Sequence, residues 1–161
     1  MKVSKAKFKN NSANYSIFIG LGAIKYLKKQ IGLVCPGAKK VALIFDKKIP
    51  NRLKNKVKQQ IKSYEVHVYE YSVNEKLKSF KKANHLNESL LKKNFNRNDI
   101  IIAVGGGVIG DFAGFVASIL KRGINFINLP STLLSQVDAS IGGKTGINSK
   151  KGKNLIGTFH Q

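Results

Sequence analysis

IIAVGGGVIGDFAG, residues 101–114, passes from an apolar run into three consecutive glycines and then into helical spacing. Ile100 to Val104 is continuously apolar, the pattern of a strand buried on both faces. Residues 108–121 read as a helix, and between the two Gly105, Gly107 and Gly110 satisfy G-x-G-x-x-G. The motif has a physical use in this context. Without Cβ atoms the backbone can approach a pyrophosphate closely, and the first helical amides aim unpaired N–H groups and partial positive charge at it. A tight turn with no ligand is the competing reading of the same residues.

Outward from this loop, short apolar runs at Tyr15 to Ile19, Val41 to Phe45 and Phe126 to Leu129 read as strands, as does Tyr64 to Tyr71, which alternates with Val66 and Val68 on one face and His67, Tyr69 and Tyr71 on the other. Leu53, Val57 and Ile61 recur every four residues after Pro50 and predict a helix over 52–62. Further helices are expected over 77–95 and 132–141. Strands alternating with helices at this spacing predict an α/β fold, a Rossmann-like and mostly parallel sheet with helices on both faces. The 161 residues are one domain's worth of chain, and no repeat or low-complexity linker divides them.

The formal net charge is +21. Residues 1–99 carry 23 basic and 6 acidic side chains, net +17, whereas residues 100–161 carry 6 and 2, net +4. The excess therefore lies mostly outside the glycine-rich region. Only Arg52, Arg97 and Arg122 are arginines, and the basic runs alternate with Asn rather than with aromatics, so a solvated surface is favoured over a nucleic-acid site. No 18-residue apolar stretch and no secretory leader pattern occur, which predicts a cytoplasmic protein without a membrane partner. Cys35 is the only cysteine and reads as a small buried hydrophobe.

Two further segments carry candidate chemistry. In open α/β sheets ligands gather at the carboxyl ends of strands, so Asp46 is the acid expected near a ribose, although it also suits the turn into Pro50. The stretch VDASIGGKTGINSKKGKN, 137–154, contains Gly143-Lys144-Thr145, but a Walker loop needs glycine where Asp138 stands. What remains is a flexible glycine-rich segment with Asp138, Lys144 and Lys153 and the side chains of Thr145, Asn148 and Asn154. Such a set suits a small, multiply anionic ligand.

Three stretches, GGGVIGDFAGFVAS (105–118), KRGINFINLPSTLLSQVDASIGGKTGIN (121–148) and GKNLIGTFHQ (152–161), resemble the amino-terminal domain of the 3-dehydroquinate synthase family of sugar phosphate cyclases. LIFD at 43–46 and NEKLKS at 74–79 are similar to the family's cofactor-contacting segments. The chain departs from the family pattern at Val73-Asn74, usually Asp-Gly, and at Ser131-Thr132, usually Thr-Thr.

The resemblance implies an NAD-dependent lyase that converts a phosphorylated seven-carbon sugar acid into 3-dehydroquinate and phosphate, on the route to aromatic amino acids. It implies that Gly105, Gly106, Gly107, Val108, Ile109, Gly110 and Asp111 hold the pyrophosphate and nicotinamide side, with Ser131 and Thr132 nearby. Asp46, Glu75, Lys78 and Lys153 would also meet the cofactor, and Lys144 both cofactor and substrate. Asp138 would meet a substrate hydroxyl, Asn154 the substrate, and Arg122 the phosphate, across the interface of a homodimer. A divalent metal, zinc or cobalt, is expected on a separate helical domain. His67, His85 and His160 each stand alone, are expected at the surface or in loops, and offer no ligand set. The 161 residues are then expected to be a fragment without turnover of its own. The alternatives are another sugar phosphate cyclase, a metal-dependent polyol dehydrogenase, and a basic nucleic-acid-binding module.

Overall fold

The computed structural model describes residues 2–10 and 13–161. An antiparallel hairpin, β1 (Ser4–Asn10) and β2 (Ala13–Ile19), is followed by α1 (Leu27–Val34). Then come β3 (Lys40–Asp46), α2 (Asn51–Gln60), β4 (Glu65–Tyr71), α3 (Phe80–Lys92), β5 (Ile100–Gly105), α4 (Gly107–Ile119) and β6 (Asn125–Pro130). A second antiparallel hairpin, β7 (Lys144–Ser149) and β8 (Gly152–Phe159), closes the described chain. Strands β4-β3-β5-β6 form one sheet in that order, and all of its pairings are parallel.

Side-chain alternation along β3 and β5 builds two cores. Val41, Leu43 and Phe45 with Ile100, Ile102 and Val104 face Leu27 and Ile31 of α1 and Val57 of α2. Ala42 and Ile44 with Ile101 and Ala103 face Leu86 and Leu90 of α3 and Phe112 and Val116 of α4. Both strands are buried on both faces, which is why their sequences are continuously apolar rather than alternating. The predicted α/β class and helix-covered parallel sheet are therefore observed.

Four details differ from the expectations. The strand at Tyr15 to Ile19 lies in a separate hairpin rather than in the parallel sheet, because β1 supplies an antiparallel partner. The helix over 132–141 is present but shorter, over 133–139, and its Ser135–Ala139 portion is wound as a π-helix. The segment read as a flexible glycine-rich loop is mostly the β7–β8 hairpin, with Gly146 and Gly157 paired where the strands pass too closely for side chains. His67 is a packed residue of β4, stacked edge-on to Phe95 at 5.5 Å and hydrogen-bonded to Glu65.

Helix α4 packs on β5 and on β7, and its Gly114 permits the second contact. A Cβ there would fall inside contact distance of Thr145 Cγ2 and 3.3 Å from Phe126, both set by the sheet. We predict that Gly114→Ala lowers stability by about 1–2 kcal/mol, because overpacking outweighs the gain of about 1 kcal/mol in helix propensity. Thermal unfolding followed by circular dichroism checks it, an unchanged or raised Tm being the contrary result.

Candidate functional site

The parallel register gathers the ends of four strands on one edge. Asp46 pairs with Tyr71, and Gly105 pairs with Pro130. Asp46 uses one carboxylate oxygen to accept from Lys48 N–H at 2.9 Å, so it does make the turn that its sequence also suggested. Tyr71 is packed edge-on to Phe112, and burial, with Tyr69 adding to it, pushes its hydroxyl up to about 12.

At the centre of this edge β5 turns into α4. Gly106 caps the helix with extended backbone, and no side chain bonds the first amides and no acid occupies the first turn. The three glycines do different things. A Cβ on Gly105 would strike Ile109 at 2.8 Å, and one on Gly110 would strike Asn128 at 2.9 Å, so these two permit close packing of helix against strand. Gly106 and Gly107 instead border a cradle. Added Cβ atoms there would meet Thr132 and Ala139, each at 3.3 Å. Ser131 N–H donates to Gly105 O at 2.8 Å, and Thr132 is fixed by mutual bonds with Ser135, so the far wall of the cradle is ordered. Val108 is half-buried and Ile109 buried behind it. Helix amides without side-chain partners, facing a space that lacks Cβ atoms, suit a pyrophosphate.

A polar cluster adjoins the first turns of α4. Lys78, whose side chain is only 3% exposed, donates from Nζ to Asp111 Oδ2 at 2.6 Å and to Asn154 Oδ1. Burial raises the Asp111 carboxyl above its usual range, and the hydrogen bond and charge of Lys78 oppose that rise. Glu75 is held below its usual range, chiefly by a hydrogen bond from Asn148, with Lys153 and Lys78 assisting. Asn148 Nδ2 donates to Glu75 Oε2 at 2.9 Å, and its Oδ1 accepts from Asn154 N–H at 3.0 Å. Glu75, Lys78, Asp111 and Asn154, separated by up to 79 residues of sequence, thus converge through a buried ammonium and one amide.

The remaining candidates lie elsewhere. A groove of about 1770 Å³ between β2 and β6 is lined by Arg122, Ser131 and Lys144 among others. Arg122 has a left-handed backbone, φ 67. Asp138 is exposed on the short turn before β7. Among the described residues Arg122, Asp138, Lys144 and Lys153 enter no ion pair. Sequence reasoning named Asn148 only as one amide of the lysine segment. The signal that could have placed it is the short run of β-favouring residues in LIGTF at 155–159, the second strand of a hairpin.

A family model described as 3-dehydroquinate synthase N-terminal matches residues 68–161, the stretch that holds the cradle, the polar cluster and the second hairpin. The chain belongs to this family. The 3-dehydroquinate synthase of Pelagibacter ubique (strain HTCC1062) is 48% identical over 164 residues, covering 100% of this chain and 44% of that protein. The chain thus spans less than half the length of this relative. A crystal structure of 2-deoxy-scyllo-inosose synthase superposes with a TM-score of 0.88 at 25% identity, over 98% of this chain and 44% of that one. A 2-epi-5-epi-valiolone synthase from Streptomyces hygroscopicus subsp. jinggangensis 5008, solved with NAD+ and Zn2+ bound, superposes at 0.69 and 25% identity, over 83% of this chain and 38% of that one.

The described residues satisfy the two groups bound by that last protein differently. The cradle and bare helix terminus fit a dinucleotide. No group of three His, Cys, Asp or Glu side chains that could hold a metal forms among the described residues, so they do not fit the second group. His160 is tied to Ile124 O at 2.8 Å, and His85 is exposed on α3. No helix among the described residues is long and apolar enough to cross a membrane.

Proposed function

We propose that residues 1–161 are the NAD-binding domain of a 3-dehydroquinate synthase, acting on a phosphorylated seven-carbon sugar acid. The observation that carries this is the α4 terminus without a side-chain cap, set at the carboxyl edge of a parallel sheet behind Gly106 and Gly107. When bound, NAD+ supplies a hydride acceptor for a substrate hydroxyl. The chain's own residues do the holding. Gly105 to Asp111 seat the pyrophosphate, and Ser131 and Thr132 form the opposite wall. Asp46, the last residue of β3, takes the adenosine ribose in this reading. Lys78, Glu75 and Lys153 bound the cradle on the α4 side, and Asn154 comes to the same cluster from β8.

Arg122 and Lys144, which share the groove beside β6, supply mobile cations for the phosphate and carboxylate of the substrate. Asp138 accepts from a substrate hydroxyl. We assign the zinc or cobalt ligands to residues other than those described, the working form to a cytoplasmic homodimer in which Arg122 reaches the partner's substrate, and no turnover to these 161 residues alone. Family membership favours this reading over the polyol dehydrogenase and the nucleic-acid module.

Calorimetric titration of NAD+ tests the proposal. Saturable binding is expected, weakened at least about tenfold by Gly106→Val, since the new side chain occupies the space where the pyrophosphate sits. Absence of binding, or binding indifferent to that substitution, overturns it. Duplex DNA titrated across a salt series separates the basic-module alternative, whose affinity falls steeply with ionic strength.

A further inference from the structure

We propose that Asn148 is a positioning residue that holds Lys78 and Asn154 in place for the dinucleotide and substrate, an inference resting on the reading above. Asn148 lies at the register shift between Ile147 and Ser149, where β8 bulges and sets Lys153, Asn154 and Leu155 against this one residue of β7. A bulge leaves its extra residues out of the ladder and re-aims their side chains, a device that recurs beside active sites, and here Asn154 is among them while Asn148 faces them from β7. The N–H of Asn148 and both polar atoms of its side chain are engaged on the site side. Its N–H donates to Lys78 O at 2.8 Å. Its Nδ2 donates to Glu75 O at 3.2 Å and to Glu75 Oε2 at 2.9 Å. Its Oδ1 accepts from Asn154 N–H at 3.0 Å.

Two consequences follow from these bonds. The turn carrying Glu75 and Lys78 is fastened at both ends to β7, so Lys78 enters the core at a fixed depth. Asn154 has φ 56, a left-handed conformation that asparagine tolerates better than other residues with a Cβ and that a fixed hydrogen-bond partner helps to hold. The bond from its N–H to Asn148 contributes that constraint and delivers Asn154 Oδ1 to Lys78 Nζ. The hydrogen bonds of Asn148 go to Lys78, Glu75 and Asn154, and none goes to Asp111 or the glycine loop, so it acts through its neighbours.

Three measurements on the 161-residue chain decide the matter. In Asn148→Ala the amide hydrogen exchange of Asn154 is expected to accelerate at least about tenfold, and NAD+ affinity to fall by about the same factor, with Tm changed by only a few degrees. Asn148→Asp keeps the acceptor for Asn154 N–H but sets a second carboxylate against Glu75. The charged groups facing that new carboxylate are Glu75 and Lys78 from the preceding turn, Lys153 from β8 and Asp111 from α4. The two adjacent carboxylates resist joint ionisation, so NAD+ affinity of this variant is expected to be weak at about pH 8 and to recover toward pH 5, when one proton is shared. A purely structural role would not introduce that pH profile.

Unchanged Asn154 exchange in Asn148→Ala overturns the proposal, as does a flat pH profile in Asn148→Asp. If Asn148→Ala does not fold, Asn148→Asp carries the decision alone. If the natural chain binds no NAD+, the functional reading fails, and the exchange rate at Asn154 still decides this one.

Discussion

Lys78→Met is expected to lower stability by about 2–4 kcal/mol at neutral pH and to abolish measurable NAD+ binding. The ammonium is 3% exposed and its partner Asp111 22% exposed, so the substitution leaves a largely buried carboxylate without its counter-charge. Breaking such a pair costs about 3–5 kcal/mol when both groups are fully buried, and water reaching Asp111 reduces that figure. Asn154 loses its acceptor role in the same step.

The pH dependence separates electrostatics from packing. Burial already raises the Asp111 carboxyl and Lys78 opposes the rise, so removing Lys78 moves it further up. A group whose folded pKa is raised stabilises fully below its unfolded value, and that contribution is lost as pH rises through the folded value. The deficit of Lys78→Met is therefore expected to be small near about pH 4 and complete by about pH 7. Urea denaturation at the two pH values checks this. Asp111→Asn added to Lys78→Met should recover most of the loss. A deficit independent of pH, or no recovery in the double variant, would show that the lysine stem, not the charge pair, carries the effect.

Asp99→Ala is expected to cost about 3–4 kcal/mol with no direct effect on the cradle. The side chain is fully buried. Its Oδ1 accepts from Lys39 N–H at 3.1 Å and Lys40 N–H at 2.9 Å, and its Oδ2 accepts from Asn96 N–H at 2.8 Å. Hydrogen bonds to a charged acceptor contribute about 1.5–3 kcal/mol each, and partial access of water to the freed amides reduces their sum. These bonds tie the start of β3 to the turn entering β5, the two central strands whose far ends carry Asp46 and Gly105. The expected result in urea is a lower midpoint with an unchanged slope. Asp99→Asn should lose about half as much, because an amide NH2 must face one of the three donors. A loss below about 1 kcal/mol would mean that water replaces the carboxylate at this turn.

The β5 to α4 unit was legible because its signals are local. An apolar run, a glycine that cannot carry a Cβ against Ile109, and helical spacing all sit within twenty residues. The parallel sheet followed from the alternation of strands and helices. That Asp46 and Gly105 stand at strand ends was legible for the same reason, since strand ends are positions along the chain. The β7–β8 hairpin was misread as a flexible segment because Gly142, Gly143, Gly146 and Gly152 look like loop composition. Two of these have left-handed backbones outside the hairpin, whereas Gly146 is paired within it. The early helix α1 escaped notice because only Leu27 and Ile31 mark its buried face.

By itself, the order of residues determined the α/β class, the buried strands and the location of the glycine turn between β5 and α4, because each depends on periodicity or on backbone freedom within a short stretch. Only the tertiary structure decided that Lys78 serves Asp111 and Asn154, that Asn148 braces both, and that Asp99 fastens two strands. Those are pairings between charges and amides far apart in the chain. An ammonium in the sequence carries no mark of its partner, and only burial, which removes water as the alternative, makes one partner obligatory.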